Sequence, residues 1–598
     1  METALQRNGT LINRKFNSYL VPGVMMTVAM QLGNIIDCIF VSRWIDLDGL
    51  SAISLSMPVL FVMQMVGMTI GGGCAATISV MLGRRQIDEA SETVSASVFA
   101  VIAASLVFTV LAPFIVRPLA SVLTPSPLLA GMLEEYLFLF MLLIPFLNLC
   151  ILVTNVVTVD NHPKLGAACF IIASIVNLST EYIFLNYTDL GMRGAALSTI
   201  IGYGTGLVVV IPYMRSPRRI IAPGISKILP GMKTFRQVVK AGIPQTSLTV
   251  VKILQFLTVN TLIQKALGPD YLAIYAVCMN AVTIVRLFID GVIGLIQTIA
   301  GVLYGEKDYY GIRALVRRTA VTAAGIAILL TVFFLVFPQA LLALFSFNKP
   351  ALYGVALTCV RLYSLSFLLF AANRIVQVYY QATLHPSLSS LDTVLQGFVW
   401  LVPMMLLMMR MMGIEGVCLS VGLAEAMTWI TVWIYRSLGQ RRGKLPQKGF
   451  LMIPDRDSHV LLDVTISSTE EDAVQLGKTM MACCREHGIP AIQANCLCMA
   501  AEELSVNISR YGYSQGNPCA IDICLSAAEE SLILRLRDDG IPFDPTVYGK
   551  KDVDVFEMGG LEMIRRITSK MTYTRVLNMN NTIIEVRRGL KNQRKKRG

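Results

Sequence analysis

Two stretches, MLGRRQIDEA at residues 81–90 and LYGEKDYYGI at residues 303–312, interrupt long apolar runs in a chain of 598 residues. The first glycine of each stretch lies 61 residues after a proline, Pro22 in one case and Pro244 in the other. The two copies are offset by 222 residues, which predicts an internal duplication of that length. Paired repeats with a substrate path between them are a common plan of membrane transporters.

The composition between the two stretches, and around them, is that of a membrane protein. Hydrophobic residues make up 54% of the chain and charged residues only 15%, against roughly 25% in ordinary soluble domains. The mean hydropathy is +0.61. Apolar runs of about 20 residues recur, each long enough to cross a bilayer core of roughly 30 Å. We therefore predict an all-α polytopic domain of twelve transmembrane helices in two six-helix bundles, the last two spans at 388–409 and 413–436.

After Gln440 the pattern changes to dense charge and strand-like alternation, as in HVLLDVTIS and LILRLRD. No later run is long enough to span a membrane, so we expect a compact α+β domain there. The expected segments are an N-lobe with spans one to six (1–220), a C-lobe with spans seven to twelve (221–440), a linker (441–455), the compact domain (456–590) and a basic tail (591–598).

The basic residues predict the orientation. Net charge is +12, which we assign to contacts with anionic membrane lipid rather than to nucleic acid. With the N-terminus inside, the inner segments before the compact domain hold 17 lysines and arginines and the outer loops hold 6. By the positive-inside rule both termini are then cytoplasmic in a multi-pass protein of the plasma membrane. The 13 cysteines show no zinc-type spacing and are interpreted as buried or reduced thiols.

Polar residues inside predicted spans are costly and are therefore candidates for function. Asn34 and Asp37 lie three residues apart, and Asn177 and Glu181 lie four apart, so each pair shares one face of its helix. Together with Thr199 they predict a polar pocket inside the first bundle. A carboxylate there can carry a proton, or hold Na⁺ together with amide and hydroxyl oxygens.

The second bundle has its own charged residues. Arg286 and Asp290 lie four residues apart in the eighth span. That spacing favours an internal salt bridge over a substrate site.

Four ordered motifs, NIIDCIFVSR, LGRRQIDEA, VTVDNHPKLGAA and GMRGAALST, resemble those of the MATE (multidrug and toxic compound extrusion) family across about residues 1–440. The resemblance implies a cation-coupled antiporter that exports small, cationic or amphipathic compounds. It also implies that the coupling residues are Asp37, Asn177 and Glu181, with Asn34, Thr199 and Asn155 near them. Glu181 stands where the family usually has aspartate, so the choice between H⁺ and Na⁺ stays open.

The compact domain contains NCLCMAAEELSVNISRYGY at residues 495–513, which has helical spacing and sets Glu503 and Asn507 on one side. A predicted strand then ends in DDGIPFDP at residues 538–545, and EMGGLEMIRRI at residues 557–567 places two glycines before a predicted helix. The stretch NMNNTIIEV indicates a turn into a final strand.

This order of elements is similar to the histidine-kinase-like (GHKL-type) ATPase sandwich, most closely to the anti-sigma-factor serine kinases, over about residues 460–588. The resemblance implies a Mg-ATP site. It further implies that Asn507 supplies an amide oxygen to Mg²⁺ held by the nucleotide and that Glu503 is the catalytic general base. Asp538 accepts from the adenine amino group and Gly540 lets the backbone come close. Gly559 and Gly560 meet phosphate at a helix start.

Two functions remain open. In the first, the chain is a cation-coupled exporter whose ATP-binding domain regulates transport. In the second, it is a membrane sensor whose C-terminal domain is a serine kinase acting on a regulatory protein. Both assign a small molecule to the membrane domain, and they differ in what the C-terminal domain does.

Overall fold

The computed structural model describes residues 5–44, 47–216, 219–345, 347, 349–441, 451–454, 459–467, 469–513, 520–547 and 559–587. Within helices, the side chains of Asn34 and Asp37 lie outside the described residues. Most of the expected linker and all of the expected basic tail also lie outside them.

Contacts divide the described chain into two compact units. The membrane unit holds residues 16–308 and 315–441 together with 451–453. The C-terminal unit holds the described residues from Pro454 onward, and it also includes residues 5–15 and 309–314. The sequence patterns did not predict these two additions.

The regular secondary structure of the membrane unit is helical throughout its described residues. Its helices are α1 (Thr10–Trp44, whose first residues belong to the C-terminal unit), α2 (Leu47–Gly83), α3 (Ile87–Leu123), α4 (Pro127–Val159), α5 (Pro163–Tyr187), α6 (Gly191–Met214), α7 (Ile228–Ala266), α8 (Pro269–Gly305), α9 (Tyr309–Val336), α10 (Pro338–Leu344), α11 (Tyr353–Ser364), α12 (Phe367–Ala382), α13 (Pro386–Val394) and α14 (Leu401–Arg441). Prolines occupy the first turn of several of them, where the missing N–H costs nothing.

Ten helical segments among the described residues are long and apolar enough to cross a membrane. A polytopic helical domain is thereby confirmed, whereas the count of twelve spans stays a prediction. One reason for the difference is the continuous segment Pro386–Arg441, which contains both of the last two predicted spans. Gly413 interrupts its helical geometry, with φ of 60°, a conformation that glycine adopts without strain. A single π-turn, Leu395–Val399, joins α13 to α14.

The glycines of the two quoted stretches pack against each other. A Cβ on Gly83 would lie 2.1 Å from the Val302 carbonyl oxygen, and one on Gly305 would lie 2.3 Å from the Val80 carbonyl oxygen. Helices α2 and α8 therefore touch backbone to backbone at positions that the repeat makes equivalent. Only glycine permits this approach.

The C-terminal unit is a five-stranded antiparallel sheet of order β1-β2-β3-β5-β4. Its elements are β1 (Val460–Ser467), α15 (Glu470–Glu486), α16 (Ala491–Tyr511), β2 (Ala520–Ala527), β3 (Ser531–Asp538), α17 (Gly559–Ile567), β4 (Lys570–Val576) and β5 (Met579–Arg587). The predicted α+β sandwich is confirmed.

The core of this unit follows from the strand-like alternation and the helical spacing of apolar residues in its sequence. Leu532, Leu534 and Leu536 alternate on β3 and are buried, as a strand with one covered face requires. Leu497 and Leu504 lie on the buried face of α16 and belong to the same apolar cluster. Helix α16 therefore packs on the sheet by this face, whereas Glu503 and Asn507 are only partly buried.

Candidate functional site

A small polar pocket lies between α1, α5 and α6 of the membrane unit. Its polar lining is Ser174, Asn177, Thr199 and Tyr203, and Gly33 of α1 also lines it. The Asn177 amide donates to the Thr199 hydroxyl at 3.3 Å and lies 3.5 Å from the Ser198 hydroxyl. The structure thus brings together two of the residues that the sequence selected.

Glu181 lies one turn beyond Asn177 on α5 and is only 1% exposed. Burial of a carboxylate at this depth is costly unless a proton or cation accompanies its charge. On α1, Asn34 follows Gly33 directly and Asp37 lies one helical turn after Gly33. The Ser174 hydroxyl donates to the Ala29 carbonyl at 3.0 Å, which holds this part of α1 against α5.

Asn155 stands apart from that pocket. Its amide donates to the Ile151 carbonyl of its own helix at 2.9 Å, and it is not among the residues that line the pocket.

A cavity of about 740 Å³ adjoins the pocket in the membrane unit. Thr199 and Tyr203 line both spaces. Much of its wall is apolar or aromatic, and the polar groups are mostly amides and hydroxyls. Its charged lining consists of two cationic side chains, Lys252 on α7 and Arg286 on α8. This volume and mixed lining are typical of small-molecule sites.

Beyond these cations lies a hydrogen-bonded network that sequence reasoning missed. Asp290 accepts from the Arg374 guanidinium Nε at 2.9 Å, so the ion pair expected with Arg286 is formed with Arg374 instead. Glu425 accepts from the Asn373 and Gln396 amides, both at 2.5 Å. Gln396 lies in the π-turn between α13 and α14, a local irregularity often found at functional sites.

The nucleotide-type residues of the C-terminal unit converge on a second pocket. It is lined by Leu504, Asn507, Ile508, Gly512, Asp538, Ile541, Phe543, Pro545, Asn580 and Thr582. The Asn507 amide donates to the Glu503 carboxylate at 3.1 Å. The expected grouping of Asn507 with Asp538 is therefore present, and Glu503 stands one helical turn away.

Asp538 ends β3 and is 3% exposed. Its Oδ1 accepts from the Gly540 backbone N–H and from the Asn580 amide, each at 2.8 Å. Burial raises the pKa of this carboxyl to about 6, against the hydrogen bonds from Asn580 and Gly540 that lower it. Asn580 was not selected from the sequence. Its position in the β4–β5 hairpin, 42 residues after Asp538, has no local signal.

Gly540 allows a close backbone approach. A Cβ there would lie 2.4 Å from the Gly512 carbonyl oxygen and 2.9 Å from Asp538 Oδ1. The Ile541 N–H donates to that same Gly512 carbonyl at 2.9 Å, tying the end of α16 to the turn after β3. Gly559 is the first residue of α17, whose free N–H groups are suited to an anion.

Residues 5–15 form part of the C-terminal unit, and we call them the N-terminal strap. The Thr465 N–H donates to the Gln6 carbonyl at 3.3 Å, and the Asn8 N–H donates to the Thr465 hydroxyl at 3.1 Å. The Arg7 guanidinium lies 2.5 Å from Asp522, with both side chains almost fully buried. The strap thereby covers β1, an edge strand whose free backbone groups otherwise invite pairing.

The strap ends in the first six residues of α1, and two of them contact the turn after β3. Arg14 Nη1 lies 3.5 Å from Asp539 Oδ1, and Lys15 Nζ lies 3.9 Å from Asp539 Oδ2. Lys15 also donates to the Asn578 carbonyl at 3.1 Å. Burial lowers the pKa of Lys15, partly offset by Asp539. Asp539 directly follows Asp538, so the same turn carries the residue that lines the pocket and the residue that contacts the strap.

Comparisons with known proteins agree with this division. A family model described as MatE matches residues 22–183 and 248–391, and one for the histidine kinase-like ATPase domain matches residues 466–587. The multidrug export protein MepA of Staphylococcus saprophyticus is 22% identical over 408 residues, which cover 68% of this chain and 89% of that protein. MepA of Staphylococcus aureus strain MRSA252 is 22% identical over 410 residues, covering 68% and 90%.

Solved structures show the same membrane fold. The MATE multidrug transporter DinF-BH matches with a TM-score of 0.65 at 20% identity, covering 73% of this chain and 98% of that one. A MOP superfamily transporter from Pyrococcus furiosus matches with a TM-score of 0.67 at 15% identity, covering 73% and 96%. These identities establish the fold and leave the substrate to be argued from this chain's own residues.

Proposed function

The chain belongs to the MatE family and carries a histidine-kinase-like ATPase domain, and we propose that it is a multidrug-type antiporter regulated by nucleotide. It exports small amphipathic compounds in exchange for H⁺ or Na⁺. It does so across the cell membrane, with both termini cytoplasmic. The family resemblance predicts that these compounds carry a cationic head. The observation that carries this proposal is the polar pocket at Asn177 and Thr199, which adjoins the large cavity.

Coupling requires a charge that is compensated in one state and free in another. Glu181 is buried one helical turn from Asn177 on α5, and Asp37 follows Gly33 by one helical turn on α1. We assign the coupling proton or Na⁺ to these two carboxylates, with oxygens of Asn177 and Thr199 completing the site. Asn34 and Asn155 stay proposed members of the same region. Binding of the cation alters the packing of α1 against α5, which exchanges access to the cavity.

Dye efflux from proteoliposomes tests the coupling. Asp37→Asn and Glu181→Gln are each expected to abolish uptake or efflux driven by an imposed ion gradient. Glu135→Gln is the matched control, because Glu135 is an exposed acid paired with Arg193 at 2.8 Å. Imposing H⁺ and Na⁺ gradients separately identifies the ion. Undiminished gradient-driven efflux in both variants would refute the coupling role.

The C-terminal unit is proposed to bind Mg-ATP. Its pocket has apolar walls at Leu504, Ile508 and Phe543 for a base, and the Asp538 carboxylate as an acceptor. We assign to Asn507, which lines the pocket, the supply of an oxygen to Mg²⁺, and to the start of α17 the binding of phosphate. The close approach of Gly540 to Gly512 gives this pocket its shape. Bound Mg-ATP would supply the charge and the transferable phosphoryl group.

Nucleotide binding is measured on the full chain with a fluorescent ATP analogue. Asn507→Ala is expected to weaken binding at least tenfold. Glu530→Gln, in the exposed turn between β2 and β3, should leave it unchanged. Equal binding by wild type and Asn507→Ala would exclude this role for Asn507.

Regulation is proposed to pass through the N-terminal strap. Asp538 faces the pocket, while its neighbour Asp539 contacts Arg14 and Lys15 in the first turns of α1. A nucleotide that shifts the turn after β3 therefore alters the hold on α1, the helix that also carries Asp37. Mg-ATP is expected to change the wild-type efflux rate. An Arg14→Ala/Lys15→Ala variant should keep basal efflux and lose that response, and retention of the full response would contradict this route.

A second candidate function rests on the 3.1 Å contact between Glu503 and Asn507. In this candidate, the Glu503 carboxylate acts as general base toward a serine hydroxyl of a regulatory protein. The test is transfer of radiolabelled γ-phosphate from ATP to added proteins, compared between wild type and Glu503→Gln. Gradient-independent labelling without any dye efflux would favour the sensor kinase over the exporter.

A further inference from the structure

The large cavity of the membrane unit carries positive charge on one wall. Lys252 and Arg286 are its charged residues, and no aspartate or glutamate is among the described residues that line it. From this we infer that the cavity binds amphipathic compounds with an anionic head, such as a carboxylate, sulfonate or phosphate. The inference rests on the proposed export function and reverses the charge that the family resemblance predicts.

The carboxylates nearest to these cations already have other partners. Asp290 is held by Arg374 at 2.9 Å, and the two oxygens of Glu425 each accept from an amide, Asn373 or Gln396. Asp392 on α13 is 1% exposed and lies outside the lining of the cavity. Glu425 lines a smaller adjoining cavity together with Lys252, Arg286 and Arg374, where its two oxygens are taken up by the amides. In the large cavity, Lys252 and Arg286 are the charged groups among the described lining residues.

Arg286 lacks a full set of partners within the described part of the chain. Its buried Nε has no hydrogen-bond acceptor there, and its guanidinium lies over the Phe370 ring at 5.0 Å from the ring centroid. A cation at membrane depth with an unmatched N–H group is costly. An anionic ligand would supply the missing acceptor, and arginine is well suited to a planar carboxylate or a phosphate.

The rest of the cavity fits the body of such a ligand. Aromatic side chains line it at Phe61, Tyr136, Phe140 and Phe256, and Gln255 stands one turn from Lys252 on α7. An apolar ring system can pack on the aromatic side while its charged head faces α7 and α8. A cationic head at the same place would meet two like charges, which the low dielectric of the site strengthens.

A matched set of probes tests the inference on the purified full chain in lipid nanodiscs. Pyrenebutyrate, pyrenebutanol and pyrenebutyl-trimethylammonium share one aromatic body and carry anionic, neutral and cationic heads. We expect pyrenebutyrate to bind at least tenfold more tightly than the ammonium probe, with the alcohol between them. This comparison uses wild type alone, so it does not depend on the folding of any variant.

Variants then assign the preference to the two residues. Lys252→Gln and Arg286→Gln should each weaken pyrenebutyrate binding severalfold and leave the alcohol unchanged. Lys252→Arg should retain the preference. Lys265→Gln, an exposed lysine on the same helix, is the control. Tighter binding of the ammonium probe, no discrimination among the three heads, or no effect of either glutamine variant would overturn the inference.

Gradient-driven transport of the same probes separates this inference from the proposed export. If pyrenebutyrate binds in the charge-dependent way but no H⁺ or Na⁺ gradient moves it, the antiport proposal fails and the binding site stands. If a gradient moves the ammonium probe while pyrenebutyrate does not bind, the site inference fails and antiport stands.

Discussion

Replacing Arg7 with alanine removes the most buried ion pair of the N-terminal strap and should loosen the C-terminal unit. Arg7 Nη1 lies 2.5 Å from Asp522 Oδ1, and the two side chains are 6% and 4% exposed. Removing one partner of a buried pair costs about 3–5 kcal/mol, because the other charge is left without compensation. Asp522 keeps a hydrogen bond from the Thr465 hydroxyl at 2.9 Å, which offsets about 1 kcal/mol of that. We therefore expect Arg7→Ala to lower the free energy of unfolding of the C-terminal unit by about 3 kcal/mol.

Hydrogen exchange on the full chain measures this loss. A change of about 3 kcal/mol corresponds to a roughly hundredfold faster exchange of the β1 and β2 amides, at 1.36 kcal/mol per factor of ten. Arg566→Ala is the control, since its ion pair with Glu562 is solvent-exposed and worth about 0–1 kcal/mol.

A double-mutant cycle completes the test. In the Asp522→Asn background, Arg7→Ala should cost at least 1 kcal/mol less than it does in wild type, because contacting residues are coupled. The reasoning is refuted if Arg7→Ala exchanges no faster than Arg566→Ala, or if the two substitutions at the pair are simply additive.

The remaining predictions concern the two sites and the repeat contact. Burial raises the pKa of Asp538 to about 6. The affinity for Mg-ATP should therefore fall as the pH drops through 6, by roughly tenfold at pH 5. In a pH titration of binding, Asp538→Asn should remove this dependence. Gly540→Ala places a Cβ 2.4 Å from the Gly512 carbonyl and should abolish nucleotide binding, measured by the same fluorescence. Gly305→Ala should destabilise the membrane unit by about 1–3 kcal/mol in thermal unfolding, whereas Gly204→Ala, with open space around it, should change it little.

Much of the architecture could be predicted from local pattern. Apolar runs of membrane-spanning length can fold only as helices in a bilayer, since every backbone N–H and C=O must be satisfied within the segment. Alternation in LILRLRD and the helical spacing around Leu504 likewise placed β3 and α16 correctly. The number of spans was not confirmed: the sequence separates the last two spans just before Gly413, whereas the structure has one continuous helical segment, Pro386–Arg441, with only a local irregularity at that glycine.

The candidate sites divide in the same way. Asn177 and Thr199 meet as the sequence predicted, since helix periodicity fixed the face of each and the helices are neighbours in the chain. Asn580 beside Asp538 was missed, and so was Arg374 as the partner of Asp290. Each of these contacts joins residues from separate elements, and the register that brings them together is decided by packing.

The amino-acid sequence by itself determined that a helical membrane domain precedes a compact α+β domain, because those properties depend on composition and short-range periodicity. Only the tertiary structure decided that residues 5–15 pack against β1 at the other end of the chain, and that Lys252 and Arg286 face one cavity. Such contacts join segments distant in sequence or on different helices. Their free energy comes from burial and charge compensation that exist only after the elements have packed.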